Sequence, residues 1–117
     1  MTDAHKNDGL DAHEMLRNSY LRNRGVISSR SQAKGNPAMA LSRPIHREVH
    51  AEERRLRRQQ GLGPNDYTKS GKLEIRLMHQ AMHNVLVQRH GLITSAELRI
   101  MRKQVEKYAK RKGTYHK

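Results

Sequence analysis

The chain has 117 residues, no cysteine, tryptophan or phenylalanine, and a formal net charge of +13 from 24 Lys+Arg against 11 Asp+Glu. That length supports one small domain, the lack of cysteine excludes disulfides, and no stretch approaches the about 20 apolar residues of a membrane span. A pI near 10.8 points to a polyanionic partner, nucleic acid before an anionic membrane surface, because no segment has the bulky apolar face of an interfacial helix.

Residues 1–10 are polar, carry no signal-peptide pattern and are expected to be disordered, leaving 11–117 as a single domain. Asp11 followed by Glu14 makes a capping-box pattern. Ala12, Met15, Leu16, Tyr20 and Leu21 add an apolar stripe that Gly25 stops, so a helix is predicted over 11–24. Val26 to Pro37 is rich in Ser, Gly, Asn and Gln and reads as a loop, with Val26-Ile27 a candidate short strand. Ser42 as N-cap, with Pro44 in the first turn, opens a second helix that runs to about Gln60 and stops at Gly61.

A third helix is predicted over Lys72 to Arg89, where Leu73, Leu77, Met78, Ala81, Met82, Val85 and Leu86 make a broad apolar face ended by Gly91. Thr94 and Glu97 form the capping box of a fourth, whose Leu98, Met101, Val105 and Tyr108 recur at helical spacing before Gly113. The basic tail from Lys107 is expected to fray. The fold class is therefore mainly α, with about four helices. Residues 66–113 are expected to be the hydrophobic scaffold, and 11–60 the half that bears the chemistry.

Two histidines, His46 and His50, stand at i and i+4 on the second helix, one turn apart on one face, where both imidazoles can reach a single metal ion. Spacing alone is weak, since the chain has eight histidines and His79 and His83 repeat it. The first pair differs in having Asn36-Pro37 and His13-Glu14 upstream. His13 is a candidate general base, an imidazole being able to take a proton from water near neutrality, and Glu14 a candidate orienting group or metal ligand. Arg43, Arg47, Arg54, Arg55, Arg57 and Arg58 surround the pair with positive charge suited to a phosphate backbone. With four Tyr as the only aromatic residues, stacking platforms for single strands are disfavoured, and phosphate contacts would carry little sequence information.

The ordered set His13, Asn36, His46 and His50 resembles the His-Asn-His (HNH, or ββα-metal) nuclease superfamily. Leu41 to His50 looks like the segment of colicin-type nucleases in which a Pro-containing turn leads into a helical His-x-x-x-His. Ala12-His13-Glu14 is similar to toxin-associated branches with a small residue, His and Glu. The resemblance covers about residues 12–58. It implies His13 as general base, Asn36 orienting that base or bracing its loop, and His46 and His50 as ligands of one divalent cation (Mg, Mn, Ni or Zn), with Glu14 a possible further ligand. It also implies that His13 lies on a short β-hairpin, where the local pattern predicts a helix.

The function expected is a metal-dependent endonuclease cutting DNA, or less readily RNA, with little sequence preference. The resemblance further implies a toxin or effector domain of a larger secreted or injected bacterial protein, acting in the target cytoplasm and neutralised by an acidic immunity protein. The alternatives are a non-catalytic basic helical module that binds nucleic acid, and a small basic protein that docks on an acidic protein.

Overall fold

A computed structural model describes residues 9–28 and 35–117. The element order is β1 (Leu10–Glu14), α1 (Asn18–Asn23), β2 (Ala38–Ser42), α2 (Arg43–Gln59), α3 (Gly71–Met82) continuing as a π-helical segment (His83–Arg89), and α4 (Ser95–Arg111). Among the described residues the fold is mainly α, with four helices and one two-stranded antiparallel hairpin early in the chain. Among the described residues no helix is long and apolar enough to cross a membrane.

The helix predicted over 11–24 is corrected to a strand, a turn and a six-residue helix. Asp11 pairs with Leu41 and His13 with Met39 in the hairpin, and the Asp11 carboxylate meets His46 instead of capping a helix. Pairing with a distant strand overrides a local capping pattern, because strand preference depends on what packs across it. Val26 and Ile27 form a bend, not a strand, and the middle of the predicted loop, 29–34, lies outside the described residues. So does the predicted disorder of 1–8, whereas Leu10 already belongs to β1.

No loop separates β2 from α2: Ser42 ends the strand and occupies the N-cap position, though its side chain makes no cap hydrogen bond. Pro44 fits the first turn, where its missing N–H would have had no intrahelical partner. This direct junction lays the first turns of α2 against β1, with His46 and His50 facing the strand.

Behind the hairpin, Val49 of α2 packs in one core with Ile75, Met78 and Met82 of α3 and Leu98, Val105 and Tyr108 of α4, all at most 1% exposed. Met15, Leu16, Tyr20 and Leu21 join that core. The scaffold is therefore not confined to the C-terminal half. Helix α4 starts with the predicted capping box of Thr94 and Glu97.

The tail past α4 does not fray. Gly71 N–H donates to Thr114 O at 2.9 Å, Lys72 N–H to Tyr115 O at 2.8 Å, and the Tyr20 and Thr114 hydroxyls pair at 3.0 Å. A Cβ on Gly71 would stand 2.6 Å from Thr114 O, so only glycine admits this close approach. In the π-helical segment and the turn after it, Arg89 and His90 grip Glu48 at 2.7 and 2.8 Å, and Asn84 donates to Glu52 at 2.8 Å. These bonds brace the outer face of α2.

Candidate metal centre

Strand β1 delivers His13 and helix α2 delivers His46 and His50. The helix pair comes from one-turn spacing, and the strand residue from pairing with β2. One ring nitrogen of each lies within 4.8 Å of the others. The three rings meet edge to face, with centroids 5.0 Å apart for His13–His46 and His13–His50 and 4.5 Å for His46–His50.

The hydrogen bonds determine which nitrogens carry lone pairs. Asp11 Oδ2 lies 3.1 Å from His46 Nδ1. A carboxylate only accepts, so Nδ1 holds the proton and His46 Nε2 presents a lone pair. That Nε2 is 3.0 Å from His50 Nε2, and a single proton shared between them can be replaced by a cation. His13 Nε2 lies 3.3 Å from Met78 Sδ, a weak acceptor, which leaves the lone pair on Nδ1. Nδ1 is buried and has no hydrogen-bond partner among the described residues.

An orphaned buried acceptor beside two converging imidazoles is the donor chemistry a metal ion satisfies. Metal–nitrogen bonds of about 2.0–2.1 Å set neighbouring donors on the order of 3.3 Å apart. The spacings here, from 3.0 Å within the helix pair to at most 4.8 Å, bracket that value. The Asp11–His46 contact has the form of the carboxylate–histidine pairs that orient metal ligands.

Burial drives the electrostatics. It pushes the His13 pKa down to about 3, helped by charge on His50, His46 and Arg17. Burial likewise lowers His50 to about 4, with His46, Arg17 and Arg54 adding to the effect. Both rings are therefore neutral at pH 7, the form that ligates. Glu14 moves the other way, its carboxyl raised by burial against the hydrogen bond from Asn18 N–H and nearby positive charge.

A cleft of about 290 Å³ opens over the rings, lined also by Glu14, Arg17, Ser19 and Arg22. His13, expected near a surface helix start, is 1% exposed and packed among the other rings. Its position suits ligation better than proton exchange with water. Asn36 does not touch it: Nδ2 donates to Leu16 O at 2.8 Å, bracing the turn after β1. Glu14 lines the cleft beside the cluster.

The arginines divide. Arg43, Arg47, Arg54 and Arg58 are exposed and fall in one stripe at helical spacing beside His50, with Arg43 3.7 Å from Asp11. Arg55 is held by Glu52 through bonds of 3.0 and 2.6 Å. Arg57 is corrected outright as a phosphate contact. It is 0% exposed, paired with Glu74 at 2.6 Å and Glu53 at 3.6 Å, and donates to the carbonyls of Gly63 and Asp66. It lies two or three turns beyond His50 and His46 on the face turned to the core.

His79 and His83 do not form a comparable cluster. Their centroids are 6.4 Å apart, and their nitrogens meet Arg102 and Ser95. Sequence reading missed Asp11, Arg17 and Arg22. Reading 10–14 as a strand would have found Asp11, since alternate residues share a face with His13. Nothing local marks Arg17 and Arg22.

Comparison of the chain with family models, with curated proteins and with solved structures returns no significant match. The functional reading therefore stands on the site.

Proposed function

We propose that this domain is a metal-dependent phosphodiester hydrolase acting on nucleic acid, with duplex DNA the leading substrate. The observation that carries the reading is the convergence of His13, His46 and His50 under a cleft lined by Arg17 and Arg22. His13 is here a third ligand instead of the base. Three imidazoles with a carboxylate behind one of them favour Zn or Ni over Mg, whose preferred ligands are oxygens. When bound, the cation supplies Lewis-acid polarisation of the phosphoryl group and stabilises charge on the leaving oxygen.

The chain's own residues do the rest. Glu14, which lines the cleft beside the rings, removes the proton of the attacking water, and burial raises its carboxyl and so strengthens it as a base. Arg17 and Arg22 hold the phosphate in the cleft. The stripe from Arg43 to Arg58 tracks the flanking backbone, and the scarcity of aromatic residues leaves sequence unread.

Plasmid cleavage tests the reading, with EDTA and with Zn, Ni, Mn or Mg restored. Cleavage is expected with Zn or Ni and not with EDTA. Glu14→Gln is expected to cut about 10²–10⁴-fold more slowly while still binding metal, and His46→Ala to lose both. Plasmid and RNA both left intact under every metal would refute hydrolysis and leave a basic nucleic-acid-binding module.

A further inference from the structure

A second concavity, of about 370 Å³, lies between the end of α1 and the turn after α4 and is lined by Arg24, Lys112 and Lys117 with Gly25, Val26, Gly113 and Thr114. Three cationic side chains line it and no acidic one does. We propose that it is a second phosphate-binding site, taking a backbone phosphate of the same nucleic acid whose scissile group enters the His cleft. This inference rests on the phosphodiester reading of that cleft and adds where the flanking strand runs.

Two of the cations, Arg24 and Lys112, are held in place before any ligand arrives. Arg24 Nη1 donates to Tyr67 O at 3.0 Å, and its guanidinium lies 5.7 Å from the Tyr20 ring centroid. Only one of five N–H donors is spent in that bond, so the rest can meet an anion. The Lys112 ammonium sits 5.8 Å from the Tyr108 ring centroid. Beneath them the Tyr20–Thr114 hydroxyl pair and the Gly71–Thr114 bond fix the floor. Cations restrained by aromatic faces and backbone lose less freedom on binding than freely rotating ones.

The placement of the two sites fits a polyanion. Arg22 lines the His cleft and Arg24 lines this concavity, so the two sites are neighbours across one short helix. Arg22 in the last turn of α1 and Arg24 at its C-cap are two residues apart, so their side chains leave the helix on different sides, one toward each concavity. A polymer with regularly spaced phosphates can occupy both sites at once, whereas a single small anion cannot. None of these residues belongs to the arginine stripe of α2, so the track extends to a different side of the cleft.

The test uses the full chain and the double variant Lys112→Gln/Lys117→Gln, which leaves Arg24 and its structural bond intact. Duplex DNA binding is measured in EDTA by fluorescence anisotropy across a salt series, and hydrolysis of bis(p-nitrophenyl) phosphate is measured with Zn or Ni. The expected result is weaker DNA binding, with the log–log salt slope reduced by about 1.8, or about 0.9 for each lysine neutralised. Turnover of the small diester should be unchanged. An unaltered salt slope would overturn the second site, whatever the catalytic result. If wild-type protein hydrolyses neither the diester nor DNA, the hydrolase reading fails separately, and a reduced slope would still support the phosphate site.

Discussion

Arg57→Ala separates a structural arginine from a substrate-binding one. The wild-type guanidinium is 0% exposed and bridges α2 to α3 through Glu53, Glu74 and the Gly63 and Asp66 carbonyls. Burial already pushes the Glu53 and Glu74 carboxyls upward, with Arg57 among the groups opposing that rise. Each also has one oxygen lacking a hydrogen-bond partner among the described residues. Truncation strands the Glu74 carboxyl, leaves Glu53 with only Arg17 at 3.5 Å, and opens a hole, a loss of about 3–5 kcal/mol by analogy with other broken buried pairs. For 117 residues, at about 2.1 cal/mol/K per residue, the melting entropy is about 0.25 kcal/mol/K. The melting temperature should therefore fall by about 12–20 °C. Circular dichroism melts in EDTA at pH 7 measure this directly. Arg58→Ala, one residue further and exposed, should cost less than about 0.5 kcal/mol yet flatten the salt dependence of DNA binding by about 0.9. If Arg57→Ala melts within a few degrees of wild type and weakens DNA binding as Arg58→Ala does, the buried bridge is wrong.

Zn or Ni at about 100 times its Kd should stabilise the protein by about 2.7 kcal/mol. Scanning calorimetry should show that gain vanish in His13→Ala, His46→Ala or His50→Ala and persist in His79→Ala and His83→Ala; equal loss at the second pair would refute the assignment. Asp11→Asn keeps the shape but removes the carboxylate behind His46, so metal affinity measured by competition with a chelating dye should drop about 10–100-fold. Without metal, stability depends on pH through His13 and His50, whose folded values of about 3 and about 4 lie below the ordinary 6.5. Below pH 6.5 the unfolded chain takes up protons that the folded one refuses. Stability in EDTA is thus fully present above pH 6.5 and falls by up to about 1.4 kcal/mol per pH unit per ring. It levels off once the folded values are passed. Urea titrations of wild type and His13→Ala between pH 7 and 4 should give a shallower profile for the variant, and identical profiles would contradict the burial argument.

What could be read from the chain alone was whatever a single turn or cap decides. Helix α4 begins at the Thr94–Glu97 capping box, α2 and α3 carry their apolar stripes, and Gly61, Gly91 and Gly113 have positive φ where helices were expected to stop. The pairing of His46 with His50 is likewise local, because helix geometry alone puts i and i+4 side by side. Tertiary structure decided the rest. Residues 10–14 carry helix-start signals, yet they form a strand because β2 offers partners from Ala38 to Ser42. That pairing carries His13 to the helix histidines and Asp11 behind one of them. Arg57 looks like its neighbours in a run of charge, and only the approach of Glu74 from α3 makes it an internal bridge. Arg17 and Arg22 belong to the site because a short helix lies beside the hairpin, and the tail is held because Gly71 admits Thr114. Local periodicity follows from covalent geometry and is written in consecutive residues. Burial and strand partnership depend on groups tens of residues away, and the chain does not mark which ones will meet.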